Sequence, residues 1–583
     1  MTPGDTPRAN LLWATLIVEE LARSGVDFFC VAPGSRSTPL IAALAANERA
    51  RNLVHFDERG TAYAALGYAR ATGRPAAWIT TSGTAVANGL PAAIEAAIDG
   101  VPMILLTADR PPELRQTGAN QTIDQPDIFG DYVRWRFDLP APDAAIDPAM
   151  VLTTVDQTVY RARRAPSGPV HLNLMFREPF LPEDGDEPLA APVRWRESDE
   201  PYTRYAATRP AVDLDEVERL REELRPVKKG LVVAGRLPSR KQGEAALQLA
   251  ESLGWPLLPD VGSQIRLGTH ADSLVPHYDA LLASERFEEA HAPEAVLHVG
   301  GRAVSRRLEQ FLAGSHPDPY VVVRENPFRL DPGHRVTHSV EADVLELCAA
   351  LAKVAGGDAR ADSSWTESWR KASERVDGYL DRASAEAKEL NEPLVARLIS
   401  QQIPEEHALV VASSMPVRDL DTYAATDGAC VPVAANRGAS GIDGTVATAV
   451  GFARGSGRPL TLLIGDLALL HDLNSLAMLR GLPVVVVVLN NDGGAIFSFL
   501  PIARHKTFFE PYFGTPHGVS FEHAAAMFDL EYENPRTVPE FVETYRAACA
   551  QDAPTLIEVR TDREENVALH RRLLEELSAE VSG

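Results

Sequence analysis

The chain has 583 residues, too many for one hydrophobic core, and it is expected to fold as roughly three or four domains of about 150 residues. Hydrophobic residues make up 45% of it and charged residues 24%, which fits folded domains and argues against disorder or a fibrous repeat. A net charge of −24 opposes nucleic acid and anionic membrane surfaces, so any anionic substrate must be met by locally gathered arginines.

In chain order, Leu11 to Arg23 reads as a helix. Glu19 and Glu20 interrupt its apolar pattern, which is wrong for an export signal. Asp27 to Ala32, Ala76 to Thr80 and Met103 to Thr107 read as short buried strands, each leading into a Gly-, Ser- or Pro-containing turn and usually a helix, such as Thr61 to Arg70. Leu181 to Glu216, rich in Pro, Asp and Glu, reads as a linker. Leu231 to Ala234, Ala295 to Val299 and Tyr320 to Val323 supply a second strand set. The polar, helix-prone stretch Gly356 to Pro393 then separates it from a third set at Leu409 to Ala412, Thr461 to Ile464 and Val484 to Leu489. The fold class is therefore α/β, with three parallel-sheet domains expected at 1–190, 205–355 and 380–575. The purely apolar runs, Val484 to Leu489 among them, are far short of the ~20 residues of a membrane helix, so no membrane span is expected. Cys30, Cys348, Cys430 and Cys549 are widely spaced with no C-x-x-C, so neither a zinc site nor a disulfide framework is indicated, and a cytoplasmic location is expected.

In such sheets ligands bind beyond the carboxyl ends of the strands. Gly465-Asp466 closes one strand, and Asn490-Asn491-Asp492-Gly493 closes the next, starting 24 residues after Asp466. Asp and Asn are ordinary capping and turn residues, so the pattern alone is only moderately specific. The spacing resembles a thiamine-diphosphate motif. That resemblance implies Mg²⁺, with Mn²⁺ as an alternative, held by hard oxygens of Asp466, Asn491 and the Gly493 carbonyl. A helix expected from about Ala468 to Arg480 would aim its N–H groups at the diphosphate. Such an enzyme also needs a carboxylate facing the cofactor's aminopyrimidine ring, and Glu58, in His55-Phe56-Asp57-Glu58-Arg59-Gly60, is the candidate. Taken alone, that cluster would read as a charged helix start.

Further stretches narrow the resemblance: Pro33-Gly34-Ser35-Arg36-Ser37-Thr38-Pro39, Thr81-Ser82-Gly83-Thr84-Ala85-Val86-Ala87-Asn88, Thr107-Ala108-Asp109-Arg110-Pro111-Pro112-Glu113-Leu114-Arg115 and Gly118-Ala119-Asn120-Gln121. Asn436 to Gly444 and Gly493-Gly494-Ala495-Ile496-Phe497 continue it. Together they resemble the MenD family of thiamine-diphosphate enzymes, which also carries Leu at position 467 where most of the superfamily has a second Gly. The match covers the first and third segments and is weaker in the middle one, where Arg306-Arg307 stands in place of a Lys-Arg or similar pair.

The resemblance implies pyrimidine-binding, central and diphosphate-binding domains, and a 2-oxoglutarate decarboxylation whose four-carbon unit adds to isochorismate in menaquinone biosynthesis. Glu58 is the implied catalytic residue. The implied cofactor contacts are Gly34, Ser82, Gly83, Asn88, Ser414, Ile442, Gly465, Asp466, Leu467, Asn491, Gly493, Gly494 and Ile496, with Ile442 as a wedge between the two cofactor rings. Substrate contacts are Ser35, Arg36, Arg110, Asn120, Gln121, Arg306, Arg307, Arg418, Arg437, Phe497 and Leu500. Arginine suits the two dianionic substrates through bidentate pairing. A homodimer or homotetramer is implied, with each site between subunits. The alternatives are another thiamine-dependent carboligase or 2-oxo acid decarboxylase, or a non-catalytic scaffold on the cofactor fold. The absence of a His-His pair argues against pyruvate-type decarboxylases, and the presence of Glu58, Asp466 and Asn491 argues against a scaffold.

Overall fold

The computed structural model describes residues 5–183, 189–206, 211–355 and 362–582. Among them are three sheets. The first contains β1 (Phe28–Val31), β2 (Arg51–Val54), β3 (Ala76–Thr80), β4 (Met103–Asp109), β5 (Arg136–Leu139) and β6 (Pro169–Met175), in the order β2-β1-β3-β4-β6-β5. The second contains β7 (Gly230–Ala234), β8 (Leu257–Pro259), β9 (Ala295–Val299), β10 (Tyr320–Arg324) and β11 (His338–Glu341), in the order β11-β10-β9-β7-β8. The third contains β12 (Ala408–Val411), β13 (Val433–Ala434), β14 (Leu460–Gly465), β15 (Val484–Asn490), β16 (Glu531–Glu533) and β17 (Thr555–Arg560), in the order β13-β12-β14-β15-β17-β16. Neighbouring strands pair in parallel throughout, as the expected fold class requires.

The first and third sheets share one strand order. In each, the chain moves to one side of its first strand and then returns to the other, so a switch point lies between β1 and β3 and again between β12 and β14. Crevices for ligands open at such points. The strands beside them are apolar along their whole length because helices cover both faces: every residue of β4 and of β15 is buried. Trp13, Ile17 and Leu21 of the helix Asp5–Arg23 join Phe29 and Ile104 in the first core, while Val395 and Ile399 of the helix Glu392–Gln402 join Leu409, Val487 and Ile557 in the third. Each such side chain contributes about 1.5–3 kcal/mol by leaving water.

The chain divides into two compact units. One comprises Met1–Thr208, Asn436–Gly457 and His471–Leu479; the other comprises Arg209–Ala435, Arg458–Leu470 and Arg480–Gly583.

Two expectations need correction. The helix expected from Ala468 to Arg480 starts at Asp466, ends at His471 and gives way to a 3₁₀ helix, Leu473–Leu479. The cause is Asp472: its carboxylate accepts the Ala447 N–H at 3.0 Å and the Ser475 hydroxyl at 2.7 Å, and the Ser475 N–H turns back to the Asp472 carbonyl. The stretch Leu181 to Glu216 is not a plain linker. It contains a helical turn, Val193–Arg196, whose Trp195 is buried in the first core with its indole N–H on Glu20 at 2.5 Å, and the helix Leu214–Leu224 begins before its end. Residues 184–188 and 207–210 of that stretch lie outside the described residues, as do 356–361 of the helix-prone stretch, which otherwise forms the helix Ser363–Glu386.

Candidate active site

In the first unit the sequence-marked residues sit beyond the ends of β1 to β4. The Asp57 carboxylate accepts the N–H groups of Arg59 at 2.9 Å and Gly60 at 3.4 Å, which fixes where the helix Glu58–Thr72 starts. Glu58 is therefore its first residue. It is half-buried, and its Oε2 accepts from Asn88 Nδ2 at 3.1 Å. Gly34 follows β1 where a Cβ would overlap the Thr81 side chain, so only glycine permits this approach of two strand-end loops. After β3, Ser82 Oγ accepts from Arg110 Nη1 at 3.0 Å and donates to the Gln121 carbonyl at 3.1 Å, while Gln121 Nε2 donates to the Ser82 carbonyl at 2.8 Å. The Gly83 N–H donates to Gln125 Oε1 at 3.2 Å. Ser35 and Asn120 are exposed beside this cluster in sequence.

Arg36 is placed differently. It is 5% exposed; one guanidinium nitrogen donates to the Phe176 carbonyl at 2.8 Å, another pairs with Glu178 at 2.8 Å, and the group lies over the Phe180 ring. Both of these nitrogens serve the chain itself in this structure, while its Nε is buried without a hydrogen-bond partner. The loop carrying Arg437 and Ile442 belongs to the same unit. Glu95 accepts the N–H groups of Gly438 at 2.8 Å and Ala439 at 2.7 Å, and the Tyr63 hydroxyl donates to Asp443 at 2.6 Å. Ile442 is half-buried in that anchored loop.

In the second unit β14 ends at Gly465, and Asp466 follows, 2% exposed. Its Oδ2 accepts the Gly493 N–H at 2.9 Å and faces His517 Nε2 at 3.2 Å, and its Oδ1 accepts the Leu467 N–H at 2.6 Å. Burial raises the Asp466 carboxyl above the usual range, and those N–H groups and His517 oppose the rise. Asn491 follows β15; its Nδ2 donates to Glu392 Oε1 at 2.8 Å, while its Oδ1 is buried without a hydrogen-bond partner. Gly493 has φ 133°, and a Cβ there would overlap the Gly514 carbonyl. The Gly494 N–H donates to that same carbonyl at 2.7 Å. After β12, Ser414 at φ 77° starts the helix Met415–Tyr423, and its carbonyl accepts from Arg418 Nη1 at 2.5 Å. Ile496 and Phe497 are half-buried, Phe497 lies edge-on to Phe513, and Leu500 is 40% exposed.

Arg306 and Arg307 open the helix Arg306–Ser315 beyond β9. Arg306 is exposed and Arg307 pairs with Asp279 at 2.6 Å. Of the six arginines, Arg36, Arg110 and Arg437 thus belong to the first unit and Arg306, Arg307 and Arg418 to the second.

Models of known families match in the same tripartite order. The description "Thiamine pyrophosphate enzyme, N-terminal TPP binding domain" matches residues 13–128, "Middle domain of thiamine pyrophosphate" matches 187–411, and "Thiamine pyrophosphate enzyme, C-terminal TPP binding domain" matches 428–559. A curated 2-succinyl-5-enolpyruvyl-6-hydroxy-3-cyclohexene-1-carboxylate synthase of Rubrobacter xylanophilus is 65% identical over 570 residues, covering 98% of each chain. The synthase of the same name from Salinibacter ruber is 54% identical, covering 98% of this chain and 97% of that one, and the one from Chlorobium phaeobacteroides is 45% identical, covering 97% of each. The chain belongs to the MenD family. The fold agrees: a crystal structure from Mycobacterium smegmatis, assigned to the thiamin diphosphate-dependent enzymes, superposes with a TM-score of 0.69 at 20% identity, covering 94% of this chain and 99% of that one.

MenD proteins are thiamine-diphosphate enzymes, and the residues of this chain fit the cofactor and a divalent cation. Among the described residues no group of three or more His, Cys, Asp or Glu side chains could hold a metal, so a cation here depends on one carboxylate plus neutral oxygens. Asn491 Oδ1 is such an oxygen, buried and unpartnered, and the buried Asp466 supplies the charge. Two residues that the sequence did not mark also belong to this neighbourhood. His517 contacts Asp466 from 51 positions away and Glu392 contacts Asn491 from 99 positions away. Neither stands in a local pattern that marks it: Asn391-Glu392-Pro393 reads as a helix start, and His517 stands in a loop.

Proposed function

We propose that this chain is a 2-succinyl-5-enolpyruvyl-6-hydroxy-3-cyclohexene-1-carboxylate synthase, acting on 2-oxoglutarate and isochorismate in menaquinone biosynthesis. Thiamine diphosphate supplies, when bound, the carbon centre at which 2-oxoglutarate loses CO₂ and from which the remaining four-carbon unit passes to isochorismate. The observation that carries the reading is the set formed by buried Asp466, the unpartnered oxygen of Asn491 and the tight turn at Gly493, all at the carboxyl ends of adjacent strands.

In this reading Asp466, Asn491 and the Gly493 carbonyl hold Mg²⁺ or Mn²⁺ against the diphosphate. Gly465, Leu467, Gly494, Ile496 and Ser414 line the same end of the cofactor; Gly34, Ser82, Gly83, Asn88 and Ile442 line the other. Glu58 shares a proton with the aminopyrimidine ring, and Asn88 Nδ2, already on its Oε2, orients the carboxylate for this. Arg110, held by Ser82 and flanked by Gln121, binds a substrate carboxylate. Arg306, Arg307, Arg418, Arg437 and Arg36 supply further cations, with Ser35, Asn120, Phe497 and Leu500 completing the substrate walls. The three domains are assigned to 1–190, 205–355 and 380–575, the protein is placed in the cytoplasm, and the working form is a homodimer or homotetramer in which Glu58 and Asp466 of one site come from different chains.

The test is isochorismate consumption by the full chain with thiamine diphosphate and Mg²⁺, using 2-oxoglutarate or pyruvate as donor. Turnover with 2-oxoglutarate alone is expected. Turnover only with pyruvate would assign the chain to another carboligase, and cofactor binding without turnover would make it a scaffold.

A further inference from the structure

We infer that Glu392 is a positioning residue for the metal centre: it holds the Asn491 amide so that the oxygen, and not the NH₂, faces the cation. This deepens, and rests on, the proposed assignment of Asp466, Asn491 and Gly493 as the cation-binding set. Glu392 is the first residue of the helix Glu392–Gln402, whose start is fixed by Asn391 Oδ1 accepting the Leu394 N–H at 3.0 Å. It is 1% exposed. Its Oε1 accepts from two donors, Asn491 Nδ2 at 2.8 Å and Thr561 Oγ1 at 3.0 Å.

A side-chain amide has one donor end and one acceptor end, and the hydrogen-bond partner decides which way it points. An acidic acceptor at the Nδ2 end commits Oδ1 to the other side. That oxygen is buried without a partner, an arrangement native proteins rarely leave unless an ion or water completes it. Without Glu392 the amide loses the acceptor that selects this orientation, and a flipped amide would present its positive end to the cation. Thr561, at the end of β17, holds Glu392 from a second direction and donates its own N–H to the Asn490 carbonyl at 3.0 Å, so one residue fixes both the strand end and the carboxylate.

The experiment is Mn²⁺ binding to the full chain in the presence of thiamine diphosphate, with free Mn²⁺ read by electron paramagnetic resonance. Wild type is compared with Asp466→Asn, Glu392→Met, which keeps the length but removes the acceptor, and Glu392→Gln, which keeps an acceptor oxygen. Asp466→Asn should lose saturable binding, Glu392→Met should weaken it by about 10–100-fold, and Glu392→Gln should fall between Glu392→Met and wild type. In turnover, Glu392→Met should raise the KM for Mg²⁺ while kcat at saturating metal stays within about threefold of wild type, whereas a merely structural lesion would lower kcat and the Tm of the metal-free protein. Glu392→Met binding Mn²⁺ within about threefold of wild type, with Asp466→Asn defective, would overturn the role of Glu392 alone. Wild-type binding by Asp466→Asn would instead overturn the metal assignment beneath it. If Glu392→Met does not fold, Glu392→Gln decides: weakening beyond about threefold sustains the inference and less overturns it.

Discussion

Asp466 and Asp57 are both carboxylates at the start of a helix, yet they do different work. Asp57 is satisfied by backbone N–H groups at its own helix start, so its contribution is a cap. Asp57→Ala should cost about 1 kcal/mol in urea unfolding and displace Glu58, lowering kcat more than it raises substrate KM. Asp466 is buried and, with burial raising its carboxyl above the usual range, is suited to a cation beside it. Asp466→Asn should therefore abolish the rise in Tm that Mg²⁺ and thiamine diphosphate together give the wild type, measured by differential scanning fluorimetry; an undiminished rise would contradict the assignment. At this scale the sequence was legible where chemistry and spacing coincide in one short stretch. Gly465-Asp466 and Asn490 to Gly493 are such stretches, whereas the pairing of Ser82 with Arg110 and Gln121 is visible only in the fold. Glu392 and His517 were not legible, because their meaning lies in contacts made across 99 and 51 positions. Arg36 matched a motif, but its pairing with Glu178 and the Phe176 carbonyl could not be seen without the fold.

Among elements, the strands that could be located from sequence are those with a continuous buried apolar run, such as β3, β4 and β15. β5 escaped because three of its four residues are exposed, and β6 because buried His171 and Asn173 break its apolar run. The misjudged helix after β14 shows the other limit: periodicity continued through Asp472, but its carboxylate was committed to Ala447 and Ser475. In the second unit the helices Ser363–Glu386 and Glu392–Gln402 are joined by buried Arg397, which pairs with Asp377 at 2.7 Å and Asp381 at 2.5 Å and donates to the Tyr423 carbonyl at 3.2 Å. Burial alone would raise the Asp377 carboxyl, but hydrogen bonds and charge from His277 and Arg397 outweigh it and hold it well below the usual 3.8. A carboxylate depressed in this way contributes stability that is present above its unfolded pKa of 3.8 and fades as pH falls below that value. Asp377→Asn should therefore destabilise the protein by about 3 kcal/mol at pH 7, with the difference from wild type shrinking below about pH 4, as followed by urea unfolding across pH.

For the whole molecule, the shared strand order of the first and third sheets places two sets of marked residues at two equivalent switch points, Gly34 and Ser82 at one and Ser414 and Asp466 at the other. If one working site combines Glu58 and Asp466 from different chains, inactive Glu58→Gln and Asp466→Asn proteins should complement each other. After subunit exchange, random pairing would restore up to about a quarter of wild-type sites; a mixture that stays inactive would contradict the shared site. Among the described residues no helix is long and apolar enough to cross a membrane. The central claim is tested most directly by the rate of 2-oxoglutarate-dependent isochorismate consumption at saturating cofactor and Mg²⁺, wild type against Glu58→Gln. A fall of about 10²–10⁴-fold with cofactor affinity retained is the predicted result, and a Glu58→Gln protein turning over at the wild-type rate would contradict it.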